Sequence, residues 1–472
     1  MSYRTLYRWV PMACTIVLVA LLLAALARSH SAFPGSQAAT PLGWFGWYDQ
    51  GEYLKQLQAL MRGERDIGFT GTYPPGFMLV LLPLALLLRA VDLGGAEAAL
   101  ILGNLGLVAL ALSLIAIRLG RVRGPLFLAA FCLFIAPVQY FSAAFVAPWS
   151  SSLTLVVGAL AFWLLADNQE SRRTPRSVLV ILGAAFALLL HTRPQDFVLL
   201  GACTGILVCL QAYRHAALRP LLFPLVIGFV VVESLIVLGF WGFPLGNSYG
   251  QSHSFVPSLV PLKAVGLMTG DASYGWTNKG LLTEFPILGS VALVVLVAGA
   301  LSGGLFGVLF LLGWMIIYLS FSDLGPHNFI QYGLFHYIKT LFVVSLAALF
   351  LAGTPRVLLA AVSIALVTAF ARVQPVAGNS SPGEADWCST GLVLDRQASA
   401  QQLSSEFFSP PSLLLNGQPL KPFGDYRMFA ADSLTYVHFF HAEGPLTGFQ
   451  TPDFPSNTPT YCFNRELVLR GW

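Results

Sequence analysis

The chain has 472 residues, of which 56% are hydrophobic and only 10% charged, and its net charge is +4. Soluble proteins carry roughly 25% charged residues. A chain this apolar cannot hide its surface from water by folding into a globule, so it reads as a polytopic membrane protein with no nucleic-acid partner.

In chain order, residues 10–27 form the first apolar segment and follow Arg4 and Arg8. An uncleaved signal anchor is expected there, because many spans follow. The alternative is a cleaved signal peptide ending at Ala25-Leu26-Ala27. Further spans are expected at 97–118, 124–141, 149–166, 177–191, 194–213, 220–241, 286–302, 304–321, 334–352 and 355–373. The apolar stretch Pro74 to Val91 is ambiguous. If it crossed, the clusters Arg118/Arg121/Arg123, Arg172/Arg173/Arg176 and Arg214/Arg219 would all face outward. If it lies in the interface or re-enters, they face the cytoplasm together with Arg4, Arg8 and Arg356, as basic short loops do. The five lysines (Lys55, Lys263, Lys279, Lys339, Lys421) then fall outside, mostly in long or acid-containing segments that weigh less. The second arrangement predicts about eleven transmembrane helices plus one re-entrant or interfacial helix, a cytoplasmic N-terminus and an extracytoplasmic C-terminus. The elaborate loops (28–96, 142–148, 192–193, 242–285, 322–333) and the tail then share the outer face, which is where function is expected.

From residue 374 the composition turns polar, and 374–472 is expected to be a small extracytoplasmic α+β domain following a transmembrane domain over 1–373. Leu392-Val393-Leu394, Leu434-Thr435-Tyr436-Val437 and Glu466-Leu467-Val468-Leu469 favour strands, and 397–407 favours a short helix. Cys14, Cys132, Cys203 and Cys209 lie in apolar segments. Cys388 and Cys462 lie in the polar tail, either as a disulfide or as two free thiols.

The first outer loop carries the densest chemistry. Trp47-Tyr48-Asp49-Gln50-Gly51-Glu52-Tyr53 opens it, and Tyr73-Pro74-Pro75-Gly76 follows. Asp49 and Glu52 share a face if the segment is helical, and apolar residues at 53/54, 57 and 60 suit an interfacial amphipathic helix. Asp49 is then a helix N-cap or a general base that deprotonates an acceptor hydroxyl. Pro75 suits a helix opening. In His191-Thr192-Arg193-Pro194-Gln195-Asp196, Arg193 is a phosphate ligand or the partner of Asp196. His327, His336 and Lys339 meet an anionic headgroup or anchor the chain in the interface. Glu233, deep in a span, marks a polar cavity or a buried pair. There is no Walker, Rossmann or HExxH motif, and no DxD in the first outer loop. Metal dependence has no support beyond the weak cation capacity of one Asp and one Glu.

The order of these parts resembles the GT-C superfamily of membrane glycosyltransferases, in the polyprenyl-phosphate-sugar-dependent, protein mannosyltransferase-like group. The Asp49 segment matches the Asp-containing start of the family's first outer loop. Tyr73-Pro74-Pro75-Gly76 matches its Pro element, and His191-Thr192-Arg193-Pro194 matches the turn at the same place. The likeness covers about residues 1–370. It implies a plasma-membrane (inner-membrane) glycosyltransferase of the cell envelope. Such an enzyme takes a sugar from a polyprenyl-phosphate donor to a lipid, polysaccharide or protein acceptor and needs no cofactor. By matched position Asp49 is its acid/base. The second acid that many relatives carry in the next outer loop is absent from Phe141–Trp149, which leaves Glu52 as the supporting carboxylate. The expected substrate-binding residues are Tyr53, Tyr73, Arg193, His327, His336, Tyr337 and Lys339. The rival readings are a transporter or flippase of lipid-linked sugars working through Glu233, and an inactive scaffold.

Overall fold

The computed structural model describes residues 13–25, 48–71, 73–141, 143–215, 218–246, 255, 257–269, 286–321 and 334–352, and in the tail 387–395, 414–415, 418–419, 427–431, 434–441 and 460–463. Up to residue 352 these residues are almost entirely helical. The helices are α1 (Ala13–Ala25), α2 (Tyr48–Met61), α3 (Ile67–Thr70), α4 (Gly76–Ala90), α5 (Gly95–Arg123), α6 (Pro125–Phe141), α7 (Ser151–Gln169), α8 (Arg176–Leu190), α9 (Pro194–His215), α10 (Arg219–Phe240), α11 (Val260–Thr269), α12 (Pro286–Ser302), α13 (Gly304–Ser320) and α14 (Lys339–Ala352). Four of them, α5, α7, α9 and α10, are long and apolar enough to cross a membrane, and seven more are apolar but shorter. The chain is therefore a helical membrane protein.

Helices α7 and α14 form the centre, with every residue of 151–162 and of 339–351 buried. Outside their polar ends, which carry Ser152, Thr154 and Lys339, their sequences are almost wholly apolar, as a helix enclosed by other helices requires. The periphery is different. Helix α10 leaves Val230, Val231, Leu235 and Leu238 exposed among the described residues, an apolar face suited to lipid. It approaches α8 so closely that a Cβ at Gly183 would stand 1.9 Å from the Leu225 carbonyl oxygen, and one at Gly228 would stand 2.0 Å from that of Val180. Glycine on both helices permits this backbone contact, a common device of helix pairs in lipid.

The bundle has two chemically distinct ends. At one, Arg118 ion-pairs with Asp167 and, at 2.8 Å, with Glu170, while the Arg214 guanidinium donates to the Asn168 carbonyl oxygen. The arginine clusters of the three basic turns thus gather at one end. At the other end Asn104 of α5 meets Ser152 of α7. Because Arg118 and Asp167 follow on the same two helices, α5 and α7 run parallel, with about 21 Å between the two contacts at 1.5 Å per residue.

Helix α4, the ambiguous apolar stretch, packs on α2 and on the beginning of α5. Tyr53, Leu57, Phe77, Met78, Leu81, Ala85, Leu88, Ala96, Ala99 and Leu100 form a core separate from that of the main bundle. Every α5 residue in it precedes Asn104, so α4 stays on the Asn104 side. At 15 residues it is about 22 Å long, short of the ~30 Å hydrocarbon core. Its start is fixed by backbone contact. The Gly76 amide donates to the His191 carbonyl oxygen at 2.5 Å, and a Cβ at Gly76 would lie 2.4 Å from Leu188 O, 2.4 Å from Thr192 Oγ1 and 2.5 Å from His191 O. Gly76→Ala is expected to destabilise the fold by about 1–3 kcal/mol through overpacking, seen as a lower midpoint in thermal unfolding of the purified protein.

Several expected boundaries move. The helix of the first loop begins at Tyr48, so Asp49 lies inside its first turn rather than at the cap. Residues 334–337 form a 3-10 turn and the helix starts at Lys339. The expected loop 242–285 contains α11. The span at 355–373, the helix at 397–407 and the strand at 466–469 lie outside the described residues. In the tail, β1 (Trp387–Asp395), β4 (Arg427–Ala431), β5 (Leu434–His441) and β6 (Thr460–Phe463) form a sheet of order β4-β5-β1-β6. A separate pair joins β2 (Leu414–Leu415) and β3 (Gln418–Pro419). The expected strands at 392–394 and 434–437 fall in β1 and β5, and the antiparallel register sets Cys388 directly opposite Cys462.

Candidate functional site

The motifs of the first loop and of the 191–196 turn, far apart in sequence, meet at the Asn104 end. Segment 143–150, which joins α6 to α7, lies between them. Gln50 donates from Nε2 to the Pro148 carbonyl oxygen at 3.2 Å, and the Tyr53 hydroxyl donates to Ser150 Oγ at 3.0 Å. Both side chains are buried, so the first two turns of α2 are pinned to this segment. Asp49 sits in the first of those turns. Glu52 is partly buried and pairs with Lys55 at 2.9 Å. The Tyr53 ring packs 5.1 Å from that of Tyr73 and 5.3 Å from that of Phe77. Gln56 holds the Tyr73 carbonyl oxygen at 3.0 Å.

On the other side of the segment stands Arg193, only 6% exposed. Its Nε donates to Asp196 Oδ2 at 2.6 Å, its Nη2 to the Tyr318 hydroxyl at 2.8 Å and its Nη1 to Ser150 Oγ at 3.5 Å. Asp196 also accepts from the hydroxyls of Tyr318 and, at 2.7 Å, Thr154. The guanidinium lies 5.1 Å from the Tyr337 ring centre and 5.8 Å from that of Tyr318, within cation–π range. The ion pair with Asp196, one of the two expected roles, is therefore present.

Two residues past Ser150, Ser152 leads to Lys339. Its ammonium is fully buried and donates to Ser152 Oγ at 2.8 Å and to the Ala144 carbonyl oxygen at 2.9 Å. It makes no ion pair among the described residues. Asn104 holds the intervening backbone: Nδ2 donates to the carbonyl oxygens of Phe145 and Val146, and Oδ1 accepts from the Trp149 amide and Ser152 Oγ. All four hydrogen-bonding positions of the amide are used. The His336 ring stacks on Trp149 at 3.8 Å and 11°.

Of the expected site residues, the structure brings Tyr53, Tyr73, Arg193, His336, Tyr337 and Lys339 together around segment 143–152, with Glu52 and the backbone of Asp49 on the helix pinned there. His327 lies outside the described residues. Asn104, Ser150, Ser152, Thr154 and Tyr318 belong to the same network and were not singled out from the sequence. The available signal was polarity inside an apolar span, plainest for Asn104. Among the described residues no three His, Cys, Asp or Glu side chains come together as metal ligands do.

Beside this cluster, His191 is wholly buried and bonds to Glu233 of α10. The intramembrane acid thus has a specific partner. Below it, Leu60, Gly63, Leu79, Leu188, Val232, Leu235, Ile236 and Phe240 line an apolar groove of about 350 Å³, with Glu64 and Arg65 at its rim. The Arg65 guanidinium stands 5.6 Å over the ring of Trp241, which is itself exposed.

No family model, no characterised protein and no solved structure matches the chain.

Proposed function

We propose that the chain is a glycosyltransferase of the GT-C type that takes a sugar from a polyprenyl-phosphate carrier at the outer face of a cell membrane. The observation that carries this reading is the charge inventory of the site. Two buried basic side chains, Arg193 and Lys339, stand on either side of Ser150 and Ser152, and among the described residues the one carboxylate bonded to either is Asp196, on Arg193. A buried charge without a counter-ion is costly. A lipid-linked phosphate supplies the missing anion, and its negative charge grows as the sugar departs, which is when fixed cations stabilise most. Gln50 Oε1 and Ser151 Oγ are buried without a hydrogen-bond partner among the described residues, so the site has polar capacity to spare.

In this reading Asp49 takes the proton of the acceptor hydroxyl, and the acceptor oxygen attacks C1 of the sugar. The C1–O bond to phosphate breaks, and the phosphate leaves toward Arg193 and Lys339. Glu52 supports the base electrostatically. The lipid chain lies in the apolar groove along α10, with Arg65 at headgroup level. Helix α4 is interfacial rather than crossing, which its packing on the first turns of α5 supports. That topology puts the arginine end of the bundle in the cytoplasm, as basic loops prefer. The acceptor is a glycan, a lipid or a protein.

Lys339→Met tests the inventory. Replacing a buried basic group that has no counter-ion by an apolar side chain of similar length is expected to leave the unfolding midpoint unchanged or higher. Transfer is expected to fall by about tenfold or more, as on loss of a charged hydrogen bond worth about 1.5–3 kcal/mol. The assay is release of polyprenyl phosphate from a synthetic polyprenyl-phosphate sugar by the protein in lipid nanodiscs. Mass analysis of surface glycans from a deletion strain identifies the sugar and its destination. A loss of stability without any effect on turnover would assign Lys339 to the scaffold.

A further inference from the structure

We propose that His191 and Glu233 are positioning residues: they share one proton, and that proton clasps the Arg193 turn to α10, beside the point where the His191 carbonyl oxygen holds the start of α4. The starting point is the proton count at the imidazole. Its Nδ1 lies 2.9 Å from the Pro244 carbonyl oxygen. A carbonyl oxygen has no proton to give, so Nδ1 carries its hydrogen. Its Nε2 lies 3.0 Å from both Glu233 oxygens. One more proton must sit in that contact, on Nε2 or on the carboxyl. In either place the pair is neutral overall and fully hydrogen-bonded. Without the proton, a carboxylate faces a nitrogen lone pair on a helix whose neighbouring residues are exposed to lipid, the most costly setting for a bare charge.

The position of His191 makes this contact matter for the site. It follows the last residue of α8, two residues before Arg193, and its carbonyl oxygen receives the Gly76 amide. Its ring lies 4.6 Å from that of Phe243. The same 241–246 segment returns to the first loop, where the Gly246 amide bonds the Gly68 carbonyl oxygen. A Cβ at Gly246 would meet the Tyr73 backbone at 2.6 Å. His191 therefore ties together the α8–α9 turn, α10 and the strap after α10 through its ring, and the start of α4 through its backbone carbonyl. The charged groups facing the pair from these elements are few. Arg193 is already neutralised by Asp196, and Glu64 and Arg65 stand at the rim of the groove lined by Val232, Leu235 and Ile236. The described residues of the 241–246 strap and of the first turns of α4 carry no charge. The clasp is thus set by its own proton.

The test compares Glu233→Gln, Glu233→Ala and the parent protein in nanodiscs. A glutamine amide donates to Nε2 of a neutral imidazole without any titrating proton, so E233Q is expected to keep the parent's unfolding midpoint at neutral pH. E233A is expected to lose about 5 °C or more. E233Q as unstable as E233A, or E233A as stable as the parent, would overturn the clasp. Should E233A not fold, E233Q with the parent's midpoint supports the clasp and E233Q failing to fold as well overturns it. The effect on catalysis rests on the reading of Arg193 given above. With a polyprenyl-phosphate sugar as probe, E233A is expected to raise the donor KM about tenfold and E233Q to restore it. If the stability results hold but the parent transfers no sugar, the clasp stands and the transferase reading fails alone.

Discussion

Asp49→Asn is expected to lower sugar transfer by about 10²-fold or more, the usual worth of a positioned general base, while expression and thermal stability stay at parental levels. The separation is possible because of where Asp49 lies. It occupies the first turn of α2 rather than its cap, and asparagine keeps its size and shape there. The turn itself is held by Gln50 on Pro148 O and Tyr53 on Ser150 Oγ, neither of which the substitution touches. Glu52→Gln is expected to have the smaller effect, since Glu52 is already engaged by Lys55. Turnover of the synthetic donor is the measurement. Full activity in D49N would remove Asp49 as the base. If lipid-linked sugar crossed the membrane normally in D49N but not in E233Q, the transporter reading through Glu233 would take precedence.

The largest effect on stability is expected from Asp196→Ala. This carboxylate accepts from Arg193 Nε, the Tyr318 hydroxyl and the Thr154 hydroxyl, and all of these lie in the buried interior. Truncation strands the guanidinium without its counter-ion, a loss of about 3–5 kcal/mol for a broken buried pair. The protein is expected to express poorly and to unfold early on size-exclusion chromatography after heating. Removing both charges is a different matter. In Arg193→Met/Asp196→Leu neither partner of the pair is left stranded, and most of the stability is expected to return. Transfer activity is expected to stay lost, because the phosphate then lacks its guanidinium. A double variant that regained activity with its stability would show Arg193 to be purely structural.

Sequence and structure divide this protein along physical lines. Hydropathy is a local property, so the apolar stretches were legible along the chain, and those among the described residues are helices at nearly the expected bounds. The 3.6-residue spacing foretold which side of α2 Tyr53 and Leu57 would bury. Arginine clusters in short turns foretold that one end of the bundle would be basic. Glu233 stood out because an acid in an apolar span needs a reason.

Partners were not legible, because a hydrogen bond between distant residues leaves no mark on spacing. That His191 is what Glu233 faces, that Gly76 docks on the same turn, and that Asn104 holds the segment between Arg193 and Lys339 all follow from which helices the bundle sets side by side. Cys388 and Cys462 show the same limit in the tail, where strand register, not spacing, sets them opposite each other.

The sequence by itself determined a helical membrane protein with an acidic helix in its first loop and a basic opposite end. Only the tertiary structure decided that the acidic helix, the Pro-Gly element and Arg193 share one site. Composition and periodicity act through each residue's own transfer energy. A site is made of contacts, and these form only once the helices have packed.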